Sequence, residues 1–166
     1  MTSSISTVDT PVGPFMVIVD GEGSVLASGW TTDAAALLAL VHPDLRGEPR
    51  RRGDAGTATR AVRAYLDGDL TAPDGVPVRQ HAGGAFLPAA WAALRKVAPG
   101  EPVSYTEFAA LAGRPAAVRA AAQACARNAA ALFVPCHRVI RGDGSMGGFR
   151  WGLDTKLWLL AYESAR

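Results

Sequence analysis

The 166-residue sequence predicts a mixed α/β (α+β) fold in two parts, an N-terminal α/β region over residues 1–80 and a mainly helical region over 81–166. Three observations predict it. Short apolar, partly β-branched runs punctuated by Gly and Pro fill the first thirty residues. Apolar positions at helical spacing dominate from Leu87 onward. Between these regions, Leu70 to Gly84 carries Pro and Gly with little apolar periodicity, the composition of a link.

In chain order, Thr10-Pro-Val-Gly-Pro14 marks a turn, Phe15 to Val19 reads as a strand, and Gly21-Glu-Gly23 leads to a second strand over Ser24 to Ser28. Thr32 to Val41 and Thr57 to Leu66 have helical patterns, and the Pro/Gly/Arg-rich stretch Pro43 to Gly56 reads as an exposed loop. Arg50-Arg51-Arg52 in that loop is a short basic cluster of the kind usually left to solvent, and no DNA contact is assigned to it. Four helices are expected in the second half, over Leu87 to Val97, Tyr105 to Leu111, Ala116 to Arg127 and Asp154 to Ser164. Ser104 or Tyr105 with Glu107 opens the second of these. Gly113-Arg-Pro115 ends it, and Pro115 suits the first turn of the next.

Composition sets outer bounds. At 49% hydrophobic and 19% charged residues the chain resembles an ordinary globular protein. It has no apolar run of about 18 residues that would cross a bilayer, and Met1 to Thr10 lacks a signal-peptide layout, so a cytoplasmic location without membrane contact is expected. Two cysteines, Cys125 and Cys136, do not form a disulfide framework, and reduced thiols are expected. Charge is uneven: residues 1–85 carry 7 Arg against 10 acidic groups, a net of −3, whereas residues 86–166 carry 10 Lys/Arg against 5, a net of +5. The second half is therefore the better nucleic-acid partner, although such an excess also suits a solvated surface.

The paired helices form a helix-turn-helix pattern, which serves DNA binding in some proteins and plain packing in many others. In the second helix Ala116, Ala117, Ala120, Ala121, Ala122 and Ala124 leave one projecting cation, Arg119, and few of the polar side chains that read base edges. Such a surface suits close, sequence-tolerant approach to DNA, or packing against another helix.

Chemistry concentrates in Leu132-Phe-Val134, read as a short buried strand, followed by Pro135-Cys136-His137-Arg138-Val139-Ile140 and the glycine-rich stretch Gly142 to Gly148. On an extended chain Cys136 and His137 point to opposite faces, so water or a local turn must connect them if they act together. Inert packing of the Cys is the other reading. A structural metal would need four Cys/His ligands, and neither CxxC nor HxxxH spacing occurs, so no metal site is expected.

Taken together, Pro135-Cys-His-Arg-Val139, Ser104-Tyr105, Arg119, Asn128 and Glu163 resemble the O6-alkylguanine-DNA alkyltransferase family over about Phe86 to Glu163, and Thr7 to Pro14 resembles the family's first strands. The resemblance implies a ribonuclease H-like N-terminal domain and a winged-helix-like C-terminal domain. It implies Cys136 as alkyl acceptor, His137 as base through water, Glu163 as the carboxylate orienting that His, and Asn128 as support for the turn. Arg119 is implied to fill the gap left by an extruded base, Tyr105 to rotate its phosphate and donate to the departing guanine, and Ala117 and Ala120 to approach the minor groove. Val139, Met146, Phe149, Arg150 and Trp151, with Tyr105, are the implied pocket. The implied partner is double-stranded DNA carrying alkylated guanine, met by a monomer that needs no cofactor.

Two departures stand out. Ala122 and Gln123 replace residues that are often Gly and small in the family. Phe149-Arg150-Trp151-Gly152 is similar to the Tyr-Arg-Trp-Gly of the bacterial adaptive-response branch, where Trp151 is expected to narrow the pocket toward methyl adducts. With no cysteine before residue 125, the zinc site of some family members is not expected. A DNA-binding protein without chemistry and a turnover cysteine hydrolase are the alternatives.

Overall fold

A computed structural model of the chain describes residues 2–52 and 56–165; residues 53–55, part of the expected loop, lie outside the described residues. The chain divides into two compact units. One comprises Met1–His81 with Ala129–Phe133, and the other Ala82–Asn128 with Val134–Arg166.

In the first unit β1 (Thr2–Thr10), β2 (Gly13–Asp20), β3 (Val25–Gly29) and β4 (Glu48–Arg51) form one sheet in the order β3-β2-β1-β4. The β1–β2 and β2–β3 pairs are antiparallel, whereas β4 runs parallel to β1. The hairpin turn at Pro11-Val12 is held by Thr10, whose hydroxyl donates to the Gly13 carbonyl at 2.6 Å. From Phe15 to Asp20 every β2 side chain is buried, as expected of a central strand covered on both faces. The outer edge of β3 is covered rather than left open, because unpaired strand groups invite adventitious pairing. Val25 N–H donates to Pro77 O at 2.8 Å, and Ser28 N–H donates to Ala129 O at 2.9 Å. The Ser28 hydroxyl adds a 2.7 Å bond to Ala131 O.

Helix α1 (Ala34–Leu38) is shorter than the expected Thr32 to Val41, starting after the Asp33 cap. Helix α2 (Pro43–Arg46) and strand β4 occupy what reads in sequence as loop, so Arg50 and Arg51 lie in an exposed edge strand. The β1 edge supplies backbone partners that composition cannot reveal. Helix α3 spans Thr57–Leu66 as expected; Ala58, Ala61, Val62 and Tyr65 recur at helical spacing and are buried. The stretch from Leu70 to Gly84 is not a free link: it contains a 3₁₀ turn at Ala72–Gly75 and the segment that pairs with Val25.

The second unit is built from α4 (Phe86–Leu94), α5 (Tyr105–Leu111), α6 (Val118–Ala126) and α7 (Leu153–Ser164), with a two-residue parallel pair between β5 (Val103–Ser104) and β6 (Val139–Ile140). Leu87, Ala90, Trp91 and Leu94 form the buried face of α4, and the Trp91 indole N–H donates to Ala124 O at 2.9 Å, fixing α4 to α6. Ser104 and Glu107 form a reciprocal capping box, a motif that stabilises a helix start by about 1 kcal/mol. The helix-turn-helix is therefore α5–α6. Pro115 lies in the intervening turn rather than in the first turn of α6, which begins at Val118. None of the described helices is long and apolar enough to cross a membrane.

Candidate active site

The expected strand at Leu132 to Val134 is absent. These residues turn, with Leu132 at φ 74, a left-handed conformation that no strand can continue. The Asn128 amide closes the turn by donating from Nδ2 to the buried Val134 carbonyl at 2.8 Å. Cys136 to Arg138 then form a single 3₁₀ turn, so the alternation expected of an extended Cys136–His137 pair is replaced by helical divergence.

His137 and Glu163 are both fully buried, with Nε2 and Oε2 2.9 Å apart. Arg138, also buried, grips the same carboxylate with two bonds, Nε to Oε1 and Nη2 to Oε2, each 2.9 Å, while Nη1 donates to Val97 O at 2.8 Å. Glu163 thus joins the cysteine turn to α7 through three side-chain bonds. Burial opposes its ionisation, but the hydrogen bonds from His137 and Arg138 outweigh burial and hold the carboxyl well below the usual range. Burial pushes His137 below its ordinary value despite the hydrogen bond to Glu163 and that group's charge. A neutral imidazole whose Nε2–H donates to Glu163 leaves Nδ1 as the acceptor. That Nδ1 is buried with no hydrogen-bond partner among the described residues.

Cys136 is half-buried. Burial raises its thiol pKa, and the Asn128 amide and the Lys156 charge oppose that rise. Burial thus favours the thiol over the thiolate. Lys156, absent from the residues picked out in the sequence, is fully buried. Its ammonium donates to Val139 O at 2.7 Å, Met146 O at 2.5 Å and Gly148 O at 3.3 Å, anchoring the glycine-rich loop to α7. Burial lowers its pKa, partly offset by the cysteines.

An open cleft of about 460 Å³ lies between the starts of α5 and α6 and this loop, lined by residues that include Tyr105, Arg119, Ala122, Arg141, Gly147 and Gly148. Tyr105 and Arg119 therefore line one cleft, with Arg141 as a second cation that the sequence reading passed over. Burial raises the Tyr105 pKa, so its hydroxyl remains a donor. The loop crosses the ring closely: a Cβ on Gly147 would stand 2.9 Å from the Tyr105 hydroxyl. The remaining implied pocket residues do not line this cleft. Val139 is buried in β6, Met146 supplies a carbonyl to Lys156, Arg150 is exposed and bonds Ala126 O, and Phe149 and Trp151 are half-buried before α7. On α6 Arg119 is exposed and Ala120 half-buried, as is Ala117 at its N-cap, while Ala121 and Ala124 are core. The packing reading of the alanine row holds for Ala121 and Ala124.

The family model for the 6-O-methylguanine DNA methyltransferase DNA-binding domain matches residues 85–165. The methylated-DNA–protein-cysteine methyltransferase of Mycobacterium leprae is 36% identical over 157 residues, covering 95% of this chain and 90% of that protein. The chain belongs to the O6-methylguanine-DNA methyltransferase family. Among solved structures, the Mycobacterium tuberculosis family member in complex with DNA superposes with a TM-score of 0.79 at 28% identity, over 98% of this chain and 93% of that one. The bifunctional transcriptional activator and DNA repair enzyme Ada of Escherichia coli is 51% identical over 82 residues, but the chain spans only 23% of Ada's length. The family shares the mixed α/β architecture, small sheet first and helices after, that the sequence predicts.

Proposed function

We propose that the protein repairs DNA by direct reversal, moving an alkyl group, mainly methyl, from O6 of guanine onto Cys136. The Sγ–carbon bond forms as the carbon–oxygen bond breaks in line; the electron pair of that bond stays on the departing guanine, which takes a proton from solvent and so balances the one that leaves the thiol. His137 receives the thiol proton through a water at Nδ1, and Glu163 holds the ring in the tautomer that makes this possible. Asn128 keeps the turn closed. Tyr105 donates to the leaving base and helps turn its phosphate, while Arg119 occupies the space the base vacates. Ala117 and Ala120 approach the minor groove, and Val139, Met146, Phe149, Arg150 and Trp151 shape the pocket. The thioether has no leaving group that water can readily displace, so each molecule acts once.

The observation that carries this reading is the buried Glu163–His137 pair, which leaves an unpartnered imidazole nitrogen next in sequence to Cys136. Incubation with duplex DNA containing O6-methylguanine, followed by mass spectrometry, should find one methyl on Cys136, saturating at one per molecule. Cys136→Ala should acquire none. Repeated turnover, or DNA binding with no modification, would overturn the proposal. The protein works as a monomer on double-stranded DNA, without cofactor, in the cytoplasm.

A further inference from the structure

His42, Asp44 and His81 converge in the first unit, far along the chain from the cysteine turn. One ligand atom from each lies within 4.8 Å of the other two. The His42 and His81 rings stand 4.1 Å apart between centroids, tilted by 38°. His42 Nδ1 is 3.6 Å from Asp44 Oδ2, against about 3.4 Å for the edge of a tetrahedron with bonds of about 2.1 Å. In the ion-free chain His42 Nδ1 caps α2 by accepting the Asp44 N–H at 3.2 Å, and a cation bound at this nitrogen takes that lone pair in place of the hydrogen bond. Two imidazoles and a carboxylate are a donor set suited to a borderline divalent ion, with solvent completing the shell. The exposed Asp44 and His81 can close the remaining gap by rotating.

We propose that His42, Asp44 and His81 form a binding site for a borderline divalent cation, zinc in the first instance, that ties the start of α2 to the segment ending at His81. The ligands come from two positions 39 residues apart in sequence, which is why a search for close Cys/His spacing passes over them. The site contains no sulfur.

Cobalt(II) is the probe, because its visible bands report nitrogen and oxygen ligands whereas thiolate ligation adds an intense near-ultraviolet band. Titration of the full chain should show one cobalt bound without that band, displaced by zinc. His81→Gln and Asp44→Asn should each weaken binding at least about tenfold, while folding by circular dichroism and methyl transfer to Cys136 remain unchanged. Zinc should raise the melting temperature of the unaltered chain and not of His81→Gln. Absence of cobalt binding would overturn the proposal. So would a thiolate band, or binding that survives both substitutions, since the metal would then sit on the cysteines or elsewhere. Because binding is read directly, failure here is distinguishable from failure of the repair activity.

Discussion

Replacing Lys156 with Met separates two contributions of one side chain. Met has similar length and no charge, so three carbonyls lose their donor. Those of Met146 and Gly148 lie on half-buried or exposed residues and can be rehydrated, whereas Val139 is fully buried. One stranded buried carbonyl costs about 1–3 kcal/mol, and relief of the buried ammonium recovers part of that. The melting temperature should fall by roughly 2–10 °C for a chain of this size. The second contribution concerns the nucleophile: the Lys156 charge lowers the Cys136 pKa, so its removal raises it further and depletes thiolate at any pH below that pKa. Single-turnover transfer at neutral pH should slow roughly tenfold, and the rate profile should move to higher pH, so that alkaline buffer restores part of the loss. Rapid-quench measurement of methyl transfer across pH, at a temperature where both proteins are folded, tests this. A lowered melting temperature with an unshifted rate profile would mean that Lys156 holds the loop and does nothing for the thiol.

Acid should destabilise the fold in two stages. His137 is kept neutral when folded, so the unfolded chain takes up its proton first and stability declines as pH drops below 6.5. The depressed Glu163 carboxyl contributes stability above 4.5 that is lost as pH falls further, and denaturant melts of Glu163→Gln should lack that lower stage. Gly147→Ala combines a positive φ of 68° with a Cβ 2.9 Å from the Tyr105 hydroxyl, so it should slow transfer and cost about 1 kcal/mol or more. Gly144→Ala, with φ 86° and open space, should pay the backbone cost alone; equal transfer rates for the two would remove Tyr105 from the argument. Trp151→Ala should speed benzyl transfer relative to methyl, as measured by competition between the two adducts, and an unchanged ratio would show that Trp151 does not limit the pocket.

Legibility in the sequence followed the locality of the cause. Helices α3 and α5 were readable to the residue because the apolar spacing of α3 and the Ser104–Glu107 capping box of α5 are local. Strand β4 was not, since Glu-Pro-Arg-Arg has poor strand composition and owes its extended form to the neighbouring β1 edge. The turn at Leu132 read as a strand because burial on all sides gives an unbroken apolar run in either conformation. The cysteine, histidine, asparagine and glutamate were found through a short, specific string and its resemblance. Lys156 carried no such signal, because a lysine in the first turns of a helix looks solvated until the fold brings three carbonyls around it. Arg138 was visible only as a letter in the string, and its grip on Glu163 depends on α7.

The carboxylate of Glu163 has both oxygens committed to donors on one short turn, and that fixes the direction in which a proton can travel. A group so fully engaged neither swings aside nor picks up the proton itself, so the imidazole offers a single open nitrogen to an incoming proton. A hydrolase must return its proton to a leaving group and reset. In the proposed transfer Cys136 is not regenerated, so the site need not reset, and a rigid outlet would serve that single use better than a shuttle.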